Sequence, residues 1–147
     1  MRRRFLLLVL AAVVVVLLLL YPSTQCRVTE SELATSPLRS FVVSVQEGYA
    51  VGFQFNVTNH ASCKVTAQST RVILRGVAYG DGRQVTQNSE EIEAASGTLM
   101  PGESGTFSHS FNSYFDYRPV KLLLRVEMTF PETGPVLVFD GELAVPT

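Results

Sequence analysis

Between Tyr49 and Asn59 the chain alternates with a period of two. Val51, Phe53, Phe55 and Val57 fall on one side, and Gly52, Gln54, Asn56 and Thr58 on the other. A helix cannot sort these residues that way, because its side chains repeat every 3.6 positions while successive side chains of a strand point to opposite faces. The segment therefore reads as a half-buried strand. Lys121 to Phe130 repeats the pattern, with Leu122, Leu124, Val126, Met128 and Phe130 inward and Lys121, Arg125, Glu127 and Thr129 outward. Pro131-Glu132-Thr133-Gly134-Pro135 then turns the chain. Val136 to Val145 returns with Leu137, Phe139, Leu143 and Val145 on one face, which makes a hairpin with a long loop.

Four further segments join these three. Phe41 to Val45, the mostly apolar Arg71 to Tyr79, Gln84 to Glu93, and Thr106 to Phe111 each lie between clusters of turn residues such as Gly80-Asp81-Gly82. Seven short strands with no helical period among them predict an all-β antiparallel sandwich over residues 39–147. Asn112 to Tyr117 is expected to cross over irregularly, with Tyr114, Phe115 and Tyr117 covering the core.

The N-terminus obeys different physics. Phe5 to Leu20 is a run of 16 residues without a polar group, extended by Tyr21 and ended by Pro22. As a helix it covers about 24 to 26 Å, the short end of what crosses a bilayer. Its apolar stretch exceeds the roughly 7 to 15 residues of a cleavable signal, and no A-x-A-like site follows. The favoured reading is an uncleaved anchor over 1–21, with secretion after cleavage as the alternative. A lipid-modified Cys26 is a third reading, poorly matched because Ser23 and Gln25 precede it. Arg2, Arg3 and Arg4 would stay cytoplasmic and Tyr21 would lie at the far interface, so the domain falls outside. Residues 22–38, polar and bounded by Pro22 and Pro37, read as a stalk.

Setting that anchor apart changes the meaning of the charge. The whole chain has net charge -1, but without its three N-terminal arginines nine basic residues face 13 acidic ones, net -4. Cations scattered singly through an acidic segment do not make a phosphate-binding surface, so nucleic acid is not an expected partner. The expected partners are the membrane, through residues 5–21, and another extracytoplasmic or envelope protein.

Few residues suggest chemistry. His109 is in phase with Phe107 and Phe111 and reads as a partly buried, hydrogen-bonded side chain; His60 reads as a loop residue. Neither has a positional link to a nucleophile, and no cysteine or histidine pair has zinc-ligand spacing. No catalytic, cofactor or metal residues are therefore assigned. In Glu90-Glu91-Ile92-Glu93, Glu91 and Glu93 share a face and Glu90 points away. That run reads as a charged edge strand; with Asp81 it is also the alternative candidate for binding a divalent cation or small ligand.

Cys26 and Cys63 fit one disulfide in an oxidising compartment. It would close a long loop, contribute roughly 3 to 4 kcal/mol on the chain-entropy model, and pin the stalk to the sandwich. The competing reading is a buried free Cys63, with Cys26 unpaired or cross-linking two chains. Asn56-Val57-Thr58 is a glycosylation sequon, with Asn56 on the polar face of its strand. The candidate interaction face is the exposed side of the Arg71 to Tyr79 strand: Arg71 and Arg75, or the side carrying Ile73, Val77 and Tyr79.

Three pieces together carry a resemblance. A strand ends in Asn56-Val57-Thr58-Asn59, the next leads into a Tyr-Gly-Asp-Gly turn (Tyr79 to Gly82), and a Gly-Thr-Leu-x-Pro-Gly-Glu-Ser segment (Gly97 to Ser104) precedes another. Over about residues 40 to 145 this resembles the immunoglobulin-like sandwiches of the late embryogenesis abundant type 2 group, and is similar to the FxLYD-type exported domains. The Asn-Pro-Asn tripeptide of the plant members is replaced by Asn59-His60-Ala61. The resemblance implies an immunoglobulin-like fold and a non-catalytic accessory or stress-associated role.

Overall fold

Residues 28–36 and 38–147 are described by the computed structural model. They form eight strands: β1 (Leu33–Thr35), β2 (Arg39–Val45), β3 (Gly48–Asn59), β4 (Val65–Tyr79), β5 (Gln84–Leu99), β6 (Ser104–Ser110), β7 (Pro119–Phe130) and β8 (Gly134–Ala144). All pairings are antiparallel. In one sheet β3 is central, with β6 along one side and β2 and then β1 along the other; the second sheet runs β5-β4-β7-β8. The chain is thus a two-sheet, all-β sandwich.

The alternation of β3 and β7 explains why the sheets stack. Val51, Phe53, Phe55 and Val57 are all buried, as are Leu122, Leu124, Val126, Met128 and Phe130. With Val72 and Leu74 of β4 they belong to one continuous core. Burying a side chain of this size stabilises by roughly 1.5 to 3 kcal/mol, so the two alternating strands supply much of the driving force. Phe53 anchors an aromatic group, with ring centroids 6.3 Å from Phe55 and 6.1 Å from Phe111.

Four local expectations are corrected. The first concerns the expected stalk, whose described part belongs to the sandwich. A single 3-10 turn at Glu30–Glu32 is closed by a reciprocal Thr29–Glu32 cap, and β1 pairs Leu33 with Asn59. Val28 and Leu33 are buried. Residues 1–27, which hold the expected anchor and Cys26, lie outside the described residues.

The second and third corrections share a cause. In β4 the register shifts between Leu74 and Gly76 against both neighbours, and against β7 it leaves Arg75 as an extra residue. Such a bulge reverses which parity faces the core. Arg71 and Ile73 therefore face outward, whereas Val77, of the same parity, is buried. In β8, Glu127 pairs with Leu137 but Val126 with Phe139, so Val138 is the extra residue. Phe139, Leu143 and Val145 pack on the core side as expected, but Leu137 faces outward and Val136 replaces it inside.

The fourth correction is in the crossover. Backbone pairing of Tyr49 with Phe115 fixes it to β3, and Phe115 is buried, but Tyr114 and Tyr117 are exposed rather than covering the core.

Candidate functional site

The outer face of the β5-β4-β7-β8 sheet carries a continuous ion-pair ladder. Arg71 donates to Glu90 at 2.8 Å and to Glu127 at 3.3 Å. Arg125 donates to Glu127 at 2.7 Å and lies 3.5 Å from Asp140, which also pairs with Arg75. Lys121 meets Glu142 at 2.8 Å. The hydrogen bonds and charge of Glu90, followed by those of Glu127, raise the Arg71 pKa. The reciprocal hydrogen bond from Arg71 holds Glu90 below the ordinary carboxylate value. Arg71 and Arg75 are therefore engaged within their own sheet.

Tyr79 does not share their face. Past the bulge it points toward the core side, its ring edge-on to Tyr117 at 6.1 Å. The guanidinium of Arg83 lies 4.3 Å from the centroid of Tyr117 and 5.5 Å from that of Tyr79. Arg83 is itself held by Asp81, 2.6 Å away across a turn in which Gly82 has φ +85°. That turn draws Asp81 into the loop: the Arg83 backbone N–H and then its side chain hold the carboxylate pKa down. Burial, then the charge of Asp116, pushes the Tyr79 pKa up. The three residues expected to form one interaction face are thus divided between two environments.

The acidic run of β5 is divided as well. Glu90 faces outward to Arg71, while Glu91 and Glu93 share the inner face, as their spacing requires. There they close on His109 of β6, across the sandwich. Its Nε2 lies 3.0 Å from Glu91 and its Nδ1 3.0 Å from Glu93. His109 is 2% exposed and packs 5.4 Å from the Phe53 ring and 5.3 Å from that of Phe111. A neutral imidazole has one N–H, so only the doubly protonated ring donates to both carboxylates. Glu91 also accepts from the Asn112 backbone N–H at 3.2 Å, so it holds the crossover as well as the histidine. Among the described residues no set of three His, Cys, Asp or Glu side chains is arranged as metal ligands, and Asp81 is engaged with Arg83.

The phase of His109 and the shared face of Glu91 and Glu93 were both legible. Their meeting was not, because nothing in either strand sets the distance between two sheets.

The edges of the β5-β4-β7-β8 sheet differ. On β8, the Ser40 hydroxyl donates to the Ala144 carbonyl at 2.5 Å and Thr35 to that of Val138 at 3.3 Å. The bulge at Val138 adds to this closure. The outer edge of β5 carries no such cover along Gln84 to Thr98 among the described residues. Among the described residues, the backbone group of β5 that is hydrogen-bonded from outside its pairing with β4 is the Leu99 carbonyl, to which the buried Asn59 side chain donates at 3.0 Å.

Asn59 explains the loop that holds Cys63. It donates to the Cys63 carbonyl at 2.7 Å and accepts from the Ala61 N–H at 2.9 Å. Cys63 packs against the core, and its expected partner Cys26 lies outside the described residues. Asn56 is exposed in mid-β3, where its side-chain oxygen accepts from the Thr106 hydroxyl at 2.7 Å.

Fold and site together define a two-sheet β-sandwich with an open strand edge at β5 and a buried histidine clasped between its sheets. No family model matches the chain, and no curated protein matches it. Among solved structures it is similar to Northeast Structural Genomics Consortium target SoR45. Their TM-score is 0.52 at 11% identity, over 80% of this chain and 89% of that one. It is also similar to Spo0M, a sporulation control protein from Bacillus subtilis, with TM-score 0.46 at 12% identity, over 78% of this chain and 50% of that one. The first likeness supports the sandwich fold. Among the described residues no helix is long and apolar enough to cross a membrane.

Proposed function

We propose that this chain is a membrane-anchored, extracytoplasmic, immunoglobulin-like module without catalytic function, which binds an envelope protein by adding a strand to β5. The observation that carries this reading is the asymmetry of the edges. β8 is closed by hydroxyls from β1 and β2, while Gln84 to Thr98 offers unpaired backbone along most of a 16-residue strand. Strand addition needs backbone groups rather than special chemistry, and alternate side chains give it selectivity. Ile92, 66% exposed and flanked by Glu91 and Glu93, is the most exposed large apolar side chain on that strand.

The anchor reading rests on Phe5 to Tyr21 behind Arg2 to Arg4. A Cys26–Cys63 disulfide would tie the end of that anchor to the loop that Asn59 organises, keeping the domain near the membrane. The resemblance to stress-associated sandwiches agrees with an accessory role.

Two measurements test it. Protease added outside spheroplasts should digest the domain, and protection until lysis would refute the orientation. The full chain, gently solubilised, should migrate in an assembly larger than its own 16.2 kDa. Ile92→Lys should deplete that assembly, and an undiminished assembly would refute the β5 edge.

A further inference from the structure

Near Tyr79 a cleft of about 200 Å³ lies between residues of β4 and β5 and the crossover after β6. At roughly 30 Å³ per water it holds about six or seven waters, or an organic group of similar size. Its walls include Tyr79, Phe111, Tyr114 and Phe115, and its carboxylates are Glu91 and Asp116; no lysine, arginine or histidine lines it.

This combination is selective. An anion would meet two carboxylates, and a neutral apolar group would leave them desolvated without compensation. A hydrated metal ion would find too few ligands, since Glu91 is already engaged by His109 and Asn112. A large, weakly hydrated cation gains from both parts: aromatic rings attract it through their quadrupole, and the Asp116 carboxylate neutralises it. Asp116 pairs with no cation among the described residues, and its charge reaches Tyr79 strongly enough to help raise that hydroxyl's pKa. The adjoining Tyr79–Tyr117 pair already holds such a cation, the Arg83 guanidinium. Pairing of Phe115 with Tyr49 and burial of Phe111 hold two of the walls in place before any ligand arrives.

We infer that the cleft lined by Tyr79, Phe111, Tyr114, Phe115, Glu91 and Asp116 binds a small quaternary ammonium or alkylammonium group. That group could be a free organic cation or the choline headgroup of a lipid.

The test is a nitrogen-15 NMR titration of the full chain in dodecyl maltoside micelles, with tetramethylammonium as the probe. Saturable shifts of the Tyr79, Tyr114, Phe115 and Asp116 amides are expected. 3,3-Dimethyl-1-butanol, the neutral counterpart of choline, should leave them unmoved. Asp116→Asn should weaken binding about three- to tenfold through lost charge. Tyr114→Ala should weaken it about two- to fivefold through a lost aromatic wall. Both residues are exposed, so neither change threatens folding; Glu142→Gln, on the outer ladder, should have no effect.

Choline and monomeric dihexanoylphosphatidylcholine separate the sources. Equal binding of both admits the lipid headgroup, and binding of choline alone restricts the site to free cations. Absence of shifts with every cation, shifts scattered beyond the cleft, or an equal response to the neutral alcohol would each overturn the inference.

Discussion

Glu90 and Glu91 are neighbours on one strand, yet they work in different media. Glu90 faces water and a guanidinium that is itself exposed, whereas Glu91, 16% exposed, faces a buried imidazole and the crossover backbone. Coulomb attraction between exposed side chains is screened by water and salt and opposed by the entropy of ordering two long side chains. Inside, the same attraction acts in a poorer dielectric, and each partner would be stranded without the other. The outer ladder therefore fixes the surface pattern of the sheet with little effect on stability. The inner clasp ties β5 of one sheet to β6 of the other.

The largest effect that tests this contrast is expected from His109→Ala. It leaves Glu91 facing aromatic rings and should lower the unfolding free energy by about 3 kcal/mol in urea melts; a loss no greater than that of an outer-ladder variant would break the contrast. Glu91→Gln, which keeps the shape but removes the charge, should cost about 1.5 to 2 kcal/mol. Glu93→Gln should cost less than 1 kcal/mol, because Glu93 is 57% exposed and water can replace it. A reversed order for the two glutamates would place the working contact on Nδ1 instead of Nε2. Arg125→Ala should cost at most about 1 kcal/mol, and the difference should shrink further in molar salt.

The smallest effect is a titration. The Arg71 hydrogen bond holds the Glu90 pKa below its ordinary value, so the folded state favours the ionised form. That stabilisation is present above the unfolded-state pKa of Glu90 and is lost as pH falls through the lower, folded-state value. Carboxyl carbon NMR should find Glu90 titrating at a lower pH than an ordinary glutamate, and returning to ordinary behaviour in Arg71→Ala. An unchanged midpoint in that variant would show that the ladder contact does not persist in solution.

The same contrast explains how much was legible from sequence. β3 and β7 were read residue by residue because neither carries an extra residue to disturb its alternation. β4 and β8 were located, but their facing was read only in part. One inserted residue, Arg75 or Val138, reverses parity, and it is defined by the partner strand rather than by its own composition. β1 was missed because three residues cannot display a period, and Leu33-Ala34-Thr35 becomes a strand only where the end of β3 offers it a ladder. His109 was placed on the face of Phe107 and Phe111, and Glu91 and Glu93 on one shared face, but that this face turns inward was not read, and the clasp and the aromatic cleft beside it depend on the distance between sheets.

The edge asymmetry bears most directly on the proposed function. In the full chain in its native membrane, a photo-crosslinking amino acid at Ile92 on β5 can be compared with one at Leu137 on β8, both exposed positions of the same sheet. The account predicts a discrete adduct with one envelope protein from Ile92 and none from Leu137. Adducts from Leu137 alone, or equal adducts from both, would contradict it.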